Sequence, residues 1–209
     1  YFHGMVNDEK NQKMSKSKGN VINPMELVSE YGSDALRMGI IAGRSAAQAQ
    51  AFNRGAVIAG RNFCNKIWNI ARLVENMVGD HEPVATLTPQ TPADHWIVRQ
   101  LNQAQKTVAE QLEQYRFAEA SDTVYHTIWD DVADWYIEVA KVEKNQPMLV
   151  WVLDSILKLA HPFVPFVTET IWQTLFWHEP IDDMVITAAW PKNEAFDDIA
   201  AERFEQIRK

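Results

Sequence analysis

A short stretch near the beginning of the chain, Lys13–Asn20, concentrates side chains that suit the binding of anions. It reads KMSKSKGN, so lysines and serines follow one another before a glycine and an asparagine. Ammonium and hydroxyl groups donate hydrogen bonds to phosphate oxygens, and glycine and asparagine permit tight backbone turns. The stretch is not a Walker P-loop, since the Gly-Lys-Ser/Thr of that motif and its upstream glycine are absent. The residues alone leave two interpretations open, a phosphate-binding loop and a solvated basic loop.

The overall charge of the chain is unlike that of most nucleic-acid binders. The sequence has 28 Asp and Glu residues against 20 Lys and Arg residues, a formal net charge of −8, whereas nucleic-acid binders usually carry a basic surface. Residues 54–72 are an exception, because they contain cations and no acid: Arg54, Arg61, Lys66 and Arg72. Since the Debye length is only about 8–10 Å at physiological salt, a local basic stripe can still bind a polyanion.

Cysteine content and hydropathy exclude several classes of protein. Cys64 is the single cysteine, which excludes an intrachain disulfide and a cysteine-clustered zinc site and fits a reducing compartment. No apolar run approaches the ~18–20 residues that a membrane span requires. We therefore expect a cytoplasmic protein without a membrane segment, and we predict no metal site. The chain begins with Tyr1 rather than methionine, and we expect it to be a piece of a longer protein.

The first part of the chain, residues 1–45, predicts a small strand–loop–helix unit. A short strand is predicted over residues 1–6, ahead of the lysine-rich stretch. Asn23 followed by Pro24 is typical of a helix start, and Gly32 is typical of a helix end. Ser33 then opens a second short helix. Residues 43–53 are small and polar, and they predict a linker.

The second part, residues 46–209, predicts an antiparallel bundle of about five amphipathic helices. Apolar residues recur there at helical spacing, for example Phe63, Ile67, Ile70 and Val74. A break is predicted over residues 79–89, a short strand or extended edge over 184–191, and a charged helix in the tail after residue 194. The predicted helices lie within residues 61–77, 91–112, 117–142, 148–160 and 168–176. The fold class is thus mainly α.

The lysine-rich stretch and its flanks resemble the KMSKS signature of class I aminoacyl-tRNA synthetases. KMSKS is followed here by KGNVINPMELVSEYGSDALRMGI and preceded by YFHGMVND, which match the flanks of the signature in that family. The resemblance implies a loop of a nucleotide-binding domain that closes over ATP, which is used with Mg²⁺. It implies catalytic roles for Lys13 and Lys16, of which Lys16 is expected to meet the leaving pyrophosphate. It implies that the ATP-binding residues are Lys13, Met14, Ser15, Lys16 and Ser17.

Two positions near the signature call for separate expectations. Lys18 lies outside the signature, and we expect it to meet solvent or RNA phosphate. The residue two positions before Lys13 is often glycine in this family and is Asn11 here. Asparagine tolerates the left-handed backbone conformation better than most residues, so the loop is expected to keep its turn.

The helical part resembles the anticodon-binding domain of the valine-specific synthetases. The resemblance is carried by RNFCNKIWNIARLV, YRFAEASDTVYHTIWDDVADWYIEVAK and LVWVLDSILKLAHPFVPFVTETIWQTL. The isoleucine and leucine enzymes share parts of these segments and remain alternatives. The resemblance implies ATP-dependent joining of valine to its tRNA by a monomeric enzyme. The second signature of the family, His-x-Gly-His, does not occur in this sequence, so the chain alone is expected to be inactive.

One helix face is a candidate RNA surface. Arg61, Asn65, Lys66, Asn69 and Arg72 follow one another at spacings of one, three or four residues, which places them beside the apolar stripe. Cations suit phosphates, and amides suit base edges. A solvated polar face is an equally open interpretation. A protein of a different class, a helical interaction module without an RNA role, is also open, and the acidic balance favours it.

Several other conspicuous residues are predicted to be structural. The large aromatic residues of the third bundle helix are expected in the core, and Cys64 is expected to be a packing residue. His161 precedes a proline at a helix end and is expected to have a structural role. The acidic residues are expected to form ion pairs or caps rather than a metal or catalytic site. These residues are Trp129, Trp135, Tyr136, Asp130, Asp131, Asp134, Glu138 and Glu169.

Overall fold

Residues 4–43, 48–79, 87–178 and 184–209 are described by a computed structural model of the chain, and helices dominate them. The first unit contains two short parallel strands that pair Val6 with Gln50 and Asn7 with Ala51. A 3₁₀ turn and two helices lie between the strands in sequence. The elements of this unit are β1 (Val6–Asn7), the 3₁₀ turn (Lys16–Lys18), α1 (Pro24–Tyr31), α2 (Ser33–Ile41) and β2 (Gln50–Ala51).

The predicted linker over residues 43–53 is wrong at β2. Gln50 and Ala51 form a strand there because their backbone groups bond to β1. Within the linker, residues 44–47 lie outside the described residues. Of the strand predicted over residues 1–6, only Val6 lies in the observed strand β1; residues 4 and 5 are not in a strand, and residues 1–3 lie outside the described residues.

The second unit is the predicted helical bundle, and its described residues contain the five predicted helices and the predicted tail helix. The third predicted helix continues without a break, but its middle turns have π geometry. The helix in the tail is confirmed. Of the two alternatives for residues 184–191, the strand is wrong, because Val185–Thr187 is a 3₁₀ turn between the extended residues Met184 and Ala188. The elements are α3 (Arg54–Val78), α4 (Pro92–Glu113), α5 (Phe117–His126), the π segment (Thr127–Tyr136), α6 (Ile137–Glu143), α7 (Gln146–Ala160), α8 (Pro165–Thr174) and α9 (Asp198–Arg208).

Side-chain caps fix where the helices begin. Asn23 Oδ1 accepts a hydrogen bond from the Met25 backbone N–H at 3.0 Å, which confirms the predicted start of α1. Thr91 and Asp94 form a reciprocal capping box at the start of α4. Such caps satisfy the N–H groups that the first helical turn leaves without partners. The predicted break over residues 79–89 is thus followed directly by an ordered helix start at Thr91. Within the break, residues 80–86 lie outside the described residues.

The two units share helix α2. A small core packs Leu27, Leu36 and Phe52 together, whereas Met38 on α2 belongs to the large core of the bundle. Helices α2 and α3 approach closely at Gly60, where a Cβ atom would come within 2.8 Å of the Ala35 carbonyl oxygen. A larger residue at position 60 would therefore push the two units apart.

Two charged residues of α2 bind the backbone of the first turn of α8 and of the residues just before it. The Asp34 carboxylate accepts hydrogen bonds from the Phe166 and Val167 backbone N–H groups at 3.3 and 2.7 Å. Arg37 donates to the Pro162 and Phe163 carbonyls at 3.0 and 3.2 Å. The first unit is therefore attached to the bundle by directional bonds as well as by apolar packing.

Most residues predicted to be structural have structural partners. Tyr136 is buried, and Trp135 is half-buried with its ring at right angles to that of Phe204. His161 shares a hydrogen bond of 2.8 Å with the Thr168 hydroxyl, and burial lowers the pKa of its imidazole. The Glu169 carboxylate accepts from the Val185 backbone N–H at 3.1 Å. None of these groups is free for chemistry.

Cys64 is predicted to be unreactive in the folded chain. Burial, with a smaller effect of the nearby Asp34 carboxylate, raises the pKa of the Cys64 thiol from 9.0 to about 12. Because only the thiolate is nucleophilic, its fraction at pH 8 falls about a thousandfold. We expect iodoacetamide to label native Cys64 about a thousandfold more slowly than the urea-unfolded chain, as measured by mass spectrometry. Equal labelling rates would contradict the half-buried position of Cys64 and the raised pKa of its thiol.

No helix within the described ranges is both long enough and apolar enough to span a membrane.

Candidate nucleotide and RNA sites

The lysine-rich stretch Lys13–Asn20, called the lysine loop below, presents its cations on an exposed turn. The turn is closed by hydrogen bonds from the Lys18 N–H to the Ser15 carbonyl at 3.1 Å and from the Gly19 N–H to the Lys16 carbonyl at 3.2 Å. Gly19 has a φ of 67°, in the left-handed region that glycine adopts without strain. Lys13, Lys16 and Lys18 are exposed. The lysine loop therefore offers its ammonium groups to solvent.

The remaining side chains of the lysine loop have different environments. Met14 packs against the small apolar core, so it anchors the loop. The Ser15 and Ser17 hydroxyl oxygens lie 2.7 Å apart and share a hydrogen bond. None of the ion pairs between described residues involves Lys13, Lys16 or Lys18. The ammonium groups are thus available for an anionic ligand.

The base of the lysine loop is held by a nearly buried carboxylate. Asp8 follows strand β1, and its Oδ1 accepts from the Lys10 and Gln12 backbone N–H groups at 3.0 and 2.7 Å. Its Oδ2 accepts from Asn20 Nδ2 at 2.8 Å. The hydrogen bond from Asn20, followed by those from the backbone, lowers the pKa of Asp8. Asn11 adopts a φ of 60° in this segment, which confirms that asparagine keeps the expected turn.

The candidate RNA residues on α3 do not all share one side of the helix. Arg61, Asn65, Asn69 and Arg72 are exposed. At 3.6 residues per turn they fall within a sector of about 80°, whereas Lys66 lies about 60–140° away from each of them. We call these four residues, without Lys66, the α3 polar face.

Lys66 is directed toward the neighbouring π segment. Its ammonium group lies 3.0 Å from the Asp134 carboxylate and 4.9 Å from the centre of the Trp129 ring. The Trp129 ring is in turn stacked on Tyr125. Lys66 therefore already has an anionic and an aromatic partner, and the structure separates it from the α3 polar face.

Acidic side chains line the surface beyond Lys66. Asp122 is exposed and Asp130 and Asp134 are about half-exposed. His126 lies between Asp122 and Asp130, 3.6 and 2.8 Å from them. The hydrogen bond to Asp130 raises the pKa of His126. This surface is anionic, whereas the side of α3 that carries Arg61 and Arg72 is cationic. No group of three or more His, Cys, Asp and Glu side chains in the described ranges is arranged to hold a metal ion.

Comparison with known proteins connects the helical part to a family. Residues 94–209, more than half of the chain, match the family described as the anticodon-binding domain of tRNA ligase. The chain belongs to this tRNA-ligase family. Residues 1–53 match the family described as class I tRNA synthetases for I, L, M and V, and the lysine loop lies within that match.

The curated relatives of this tRNA-ligase chain include valine–tRNA ligases. The enzyme of Geobacillus stearothermophilus is 41% identical over 99% of this chain, and the matched part is 25% of that protein. The enzyme of Streptomyces coelicolor is 40% identical over 97% of this chain and 24% of its own length. The chain therefore spans about a quarter of the length of the relatives that it matches.

Solved structures of class I synthetases share the fold. The LeuRS of Agrobacterium radiobacter K84, in a ternary complex with tRNA and LeuAMS, superposes with a TM-score of 0.77 at 21% identity, over 96% of this chain and 24% of that one. The Mycobacterium tuberculosis methionyl-tRNA synthetase, with methionyl-adenylate, gives a TM-score of 0.65 at 18% identity over 82% of this chain and 37% of that one. The mainly α class and the bundle are thus confirmed.

Three residues of the tRNA-ligase chain were not identified by sequence reasoning. The local turn chemistry of Asp8 does not reveal its bond to Asn20, because Asn20 lies on the far arm of the lysine loop. The amide of Asn20 was interpreted only as a turn former. Trp68 is 39% exposed and lies among the residues of the α3 polar face. Its spacing of seven residues from Arg61 and four from Arg72 is helical, so the sequence did carry that signal.

Proposed function

We propose that this chain is the part of a valine–tRNA ligase that supplies the ATP-binding lysine loop and a helical surface for the valine tRNA. The observation that carries the proposal is the lysine loop itself, a tethered turn with three exposed ammonium groups that have no carboxylate partner among the described residues. The identity of 41% to a valine–tRNA ligase supports valine as the amino acid. The complete enzyme would join valine to its tRNA with ATP, as a cytoplasmic monomer.

The proposed chemistry of the lysine loop is stabilisation of a leaving group. The carboxylate of valine attacks the α-phosphate of ATP, an adenylate forms, and pyrophosphate leaves. Negative charge grows on the pyrophosphate oxygens in the transition state, so cations that bind them most tightly at that point lower the barrier. We assign this role to Lys16 and Lys13, with Ser15 and Ser17 shaping the turn. The exposed positions of both lysines support this assignment.

Magnesium would reach this reaction with ATP as part of the substrate. The described residues around the lysine loop do not fit a resident Mg²⁺ site, because the free groups of the loop are cations and hydroxyls. The nearby Asp8 carboxylate accepts hydrogen bonds from two backbone N–H groups and from Asn20. A hard cation needs several free oxygen ligands. No step is therefore assigned to a metal held by this chain.

The α3 polar face is the proposed tRNA surface. Arg61 and Arg72 would bind phosphates, and Asn65 and Asn69 would bind base edges in an unpaired loop. Trp68, which is exposed among them, adds a ring on which a base can stack. Lys66 stays in the proposed RNA-binding set, but we expect a smaller contribution because its ammonium group is paired with Asp134.

The salt dependence of binding tests the α3 polar face. Replacing Arg61 or Arg72 by alanine should weaken binding of valine tRNA and reduce the slope of log K against log salt by about one for each phosphate that the variant no longer binds. Lys66→Ala should change the slope less. The measurement is a fluorescence titration of the 209-residue chain at several salt concentrations. Lys106→Ala, an exposed cation on α4, is the matched control and should leave the slope unchanged.

The same titration distinguishes the competing functions. A tRNA with an altered anticodon should bind more weakly if the bundle reads the valine anticodon. Stronger binding to the isoleucine or leucine tRNA would favour those enzymes instead. If the salt slope does not change in Arg61→Ala and Arg72→Ala, the α3 polar face is a solvated surface without an RNA role. Complete absence of tRNA binding would favour a protein-interaction module.

A further inference from the structure

We infer that Asp8 and Asn20 form a clamp that sets the position of the lysine loop, and that both are positioning residues for adenylate formation. The inference rests on the proposed function, because it concerns how Lys13 and Lys16 are placed for that reaction. Neither residue belongs to the KMSKS signature. The two side chains meet at 2.8 Å although twelve positions separate them in the sequence.

The clamp holds both arms of the lysine loop. On the entering arm, Asp8 Oδ1 accepts from the Lys10 and Gln12 N–H groups, and Asn20 Nδ2 donates to the Lys13 carbonyl at 3.2 Å. Asn20 lies on the returning arm, and its Oδ1 also accepts from the N–H of Ser15, the last residue before the turn, at 2.9 Å. The two side chains thus fix backbone atoms at Lys13 and one residue before Lys16. The tip of the loop has no such bonds to the clamp.

The clamp is tied to a rigid element. Asp8 directly follows β1, which pairs with β2, and its backbone N–H also donates to the Gln12 carbonyl at 2.8 Å. Asp8 is 8% exposed, whereas Lys16 and Lys18 are exposed. The clamp holds the base of the loop in one position, while the tip is left exposed. The lysine side chains therefore approach the transition state from a defined position. Misplacement by about 1 Å can reduce a rate by about a hundredfold.

The ionised carboxylate suits this role. The Asp8 side chain accepts three hydrogen bonds and donates none to a described residue, which suits a carboxylate better than a carboxylic acid. The same bonds lower its pKa, so it stays ionised at neutral pH. An asparagine at position 8 would place an amide N–H₂ against either the N–H₂ of Asn20 or two backbone N–H groups. Asp8→Asn must therefore break one half of the clamp.

An exchange of the two side chains provides the test. Asp8→Asn and Asn20→Asp each remove a bond between the pair, by opposing two donors or two acceptors. In the double variant Asp8→Asn/Asn20→Asp, the amide at position 8 donates to the carboxylate at position 20, and the Ser15 N–H keeps its acceptor. The bond to the Lys13 carbonyl is lost, and a carboxylate oxygen faces that carbonyl oxygen instead, so the recovery is expected to be incomplete. If the clamp acts through its hydrogen bonds, the exchange should therefore largely restore kcat. If a negative charge is needed at position 8, the exchange should not restore it.

The measurement is valine-dependent ATP–pyrophosphate exchange by the full-length enzyme that carries this segment, with kcat and the KM for ATP determined separately. We expect kcat to fall about 10–100-fold in each single variant and to recover to within about fivefold in the exchange variant, with little change in the melting temperature. Glu9→Gln is the control, since Glu9 is an exposed neighbouring acid whose described ion pair is with Arg54. It should leave kcat unchanged.

Measuring Lys16→Ala in parallel separates the two proposals. If Lys16→Ala is slow but the single variants have normal kcat, the clamp is overturned and the proposed function stands. If Lys16→Ala is as fast as the parent, the proposed function fails and the positioning role fails with it. Slow single variants that the exchange does not restore would also overturn the clamp.

Amide hydrogen exchange at Ser15 and Gln12 of the 209-residue chain gives a second readout. In Asp8→Asn, protection should be lost at Gln12 or at Ser15, whichever N–H faces the misplaced amide N–H₂, and it should be regained in the exchange variant. Unchanged protection in Asp8→Asn would overturn the clamp.

Discussion

Replacing Lys16 by alanine in the full-length enzyme is expected to slow adenylate formation about 100–1,000-fold, the loss typical of removing one preorganised group that stabilises transition-state charge. The side chain of Lys16 is exposed and has no ion pair with a described residue. Its removal should therefore leave folding unchanged. Rapid-quench measurement of the single-turnover rate, together with the melting temperature, would show whether the loss is confined to chemistry.

The neighbouring Lys18 provides a matched control for this prediction. Lys18 is on the same turn and equally exposed, but it lies outside the signature. Lys18→Ala should keep the adenylation rate within a few-fold of the parent, and the KM for valine should not change in either variant, because neither lysine is assigned to the amino acid. An adenylation rate for Lys16→Ala equal to that of the parent would remove Lys16 from the mechanism.

Much of the fold was predictable because its signals are local. The Asn23 cap, the Thr91 start and the apolar stripe of α3 each depend on residues within a few positions of one another. Strand β2 was missed for the opposite reason. It contains only Gln50 and Ala51, too few residues for an alternating pattern, and it is held by pairing with β1. The 3₁₀ turn at Val185–Thr187 likewise carries β-branched residues that favour a strand by composition alone.

The candidate sites were predictable to different extents for a related reason. The lysine loop is a continuous signature, so the residues themselves indicate its chemistry. Lys66 was grouped with Arg61 because helical spacing alone places both beside the apolar stripe. The partner that removes it from that face, Asp134, is 68 positions away along the chain and enters through tertiary packing. The clamp between Asp8 and Asn20 depends in the same way on how the loop closes.

The largest loss of stability is expected from replacing Asp94 by alanine. Asp94 is 1% exposed, and its carboxylate accepts from the Tyr136 hydroxyl at 2.8 Å and from Asn145 Nδ2 at 2.7 Å. It also accepts from the Gln90 and Thr91 backbone N–H groups. The carboxylate thereby joins the start of α4 to the π segment and to the cap of α7.

Removing the Asp94 carboxylate leaves several buried donors without an acceptor. The Tyr136 hydroxyl is the clearest of these, because its ring is fully buried and burial raises the pKa of the phenol well above its ordinary value. We expect Asp94→Ala to lower the free energy of unfolding by about 3–5 kcal/mol, as is typical when a buried polar network loses its central charge. Urea unfolding of the 209-residue chain, followed by tryptophan fluorescence, measures this loss.

Two comparisons make the stability prediction specific. Asp122→Ala removes an exposed carboxylate whose described ion pair is a 3.6 Å contact with His126, and it should change the free energy of unfolding by no more than about 0.5 kcal/mol. A loss of similar size in both variants would contradict the network. Asp94→Ala should also weaken tRNA binding only in proportion to the unfolded fraction, whereas Arg61→Ala should weaken it in a fully folded chain. We thus expect the buried network around Asp94 to stabilise the bundle, and the exposed side chains of the α3 polar face to bind tRNA while contributing little to stability.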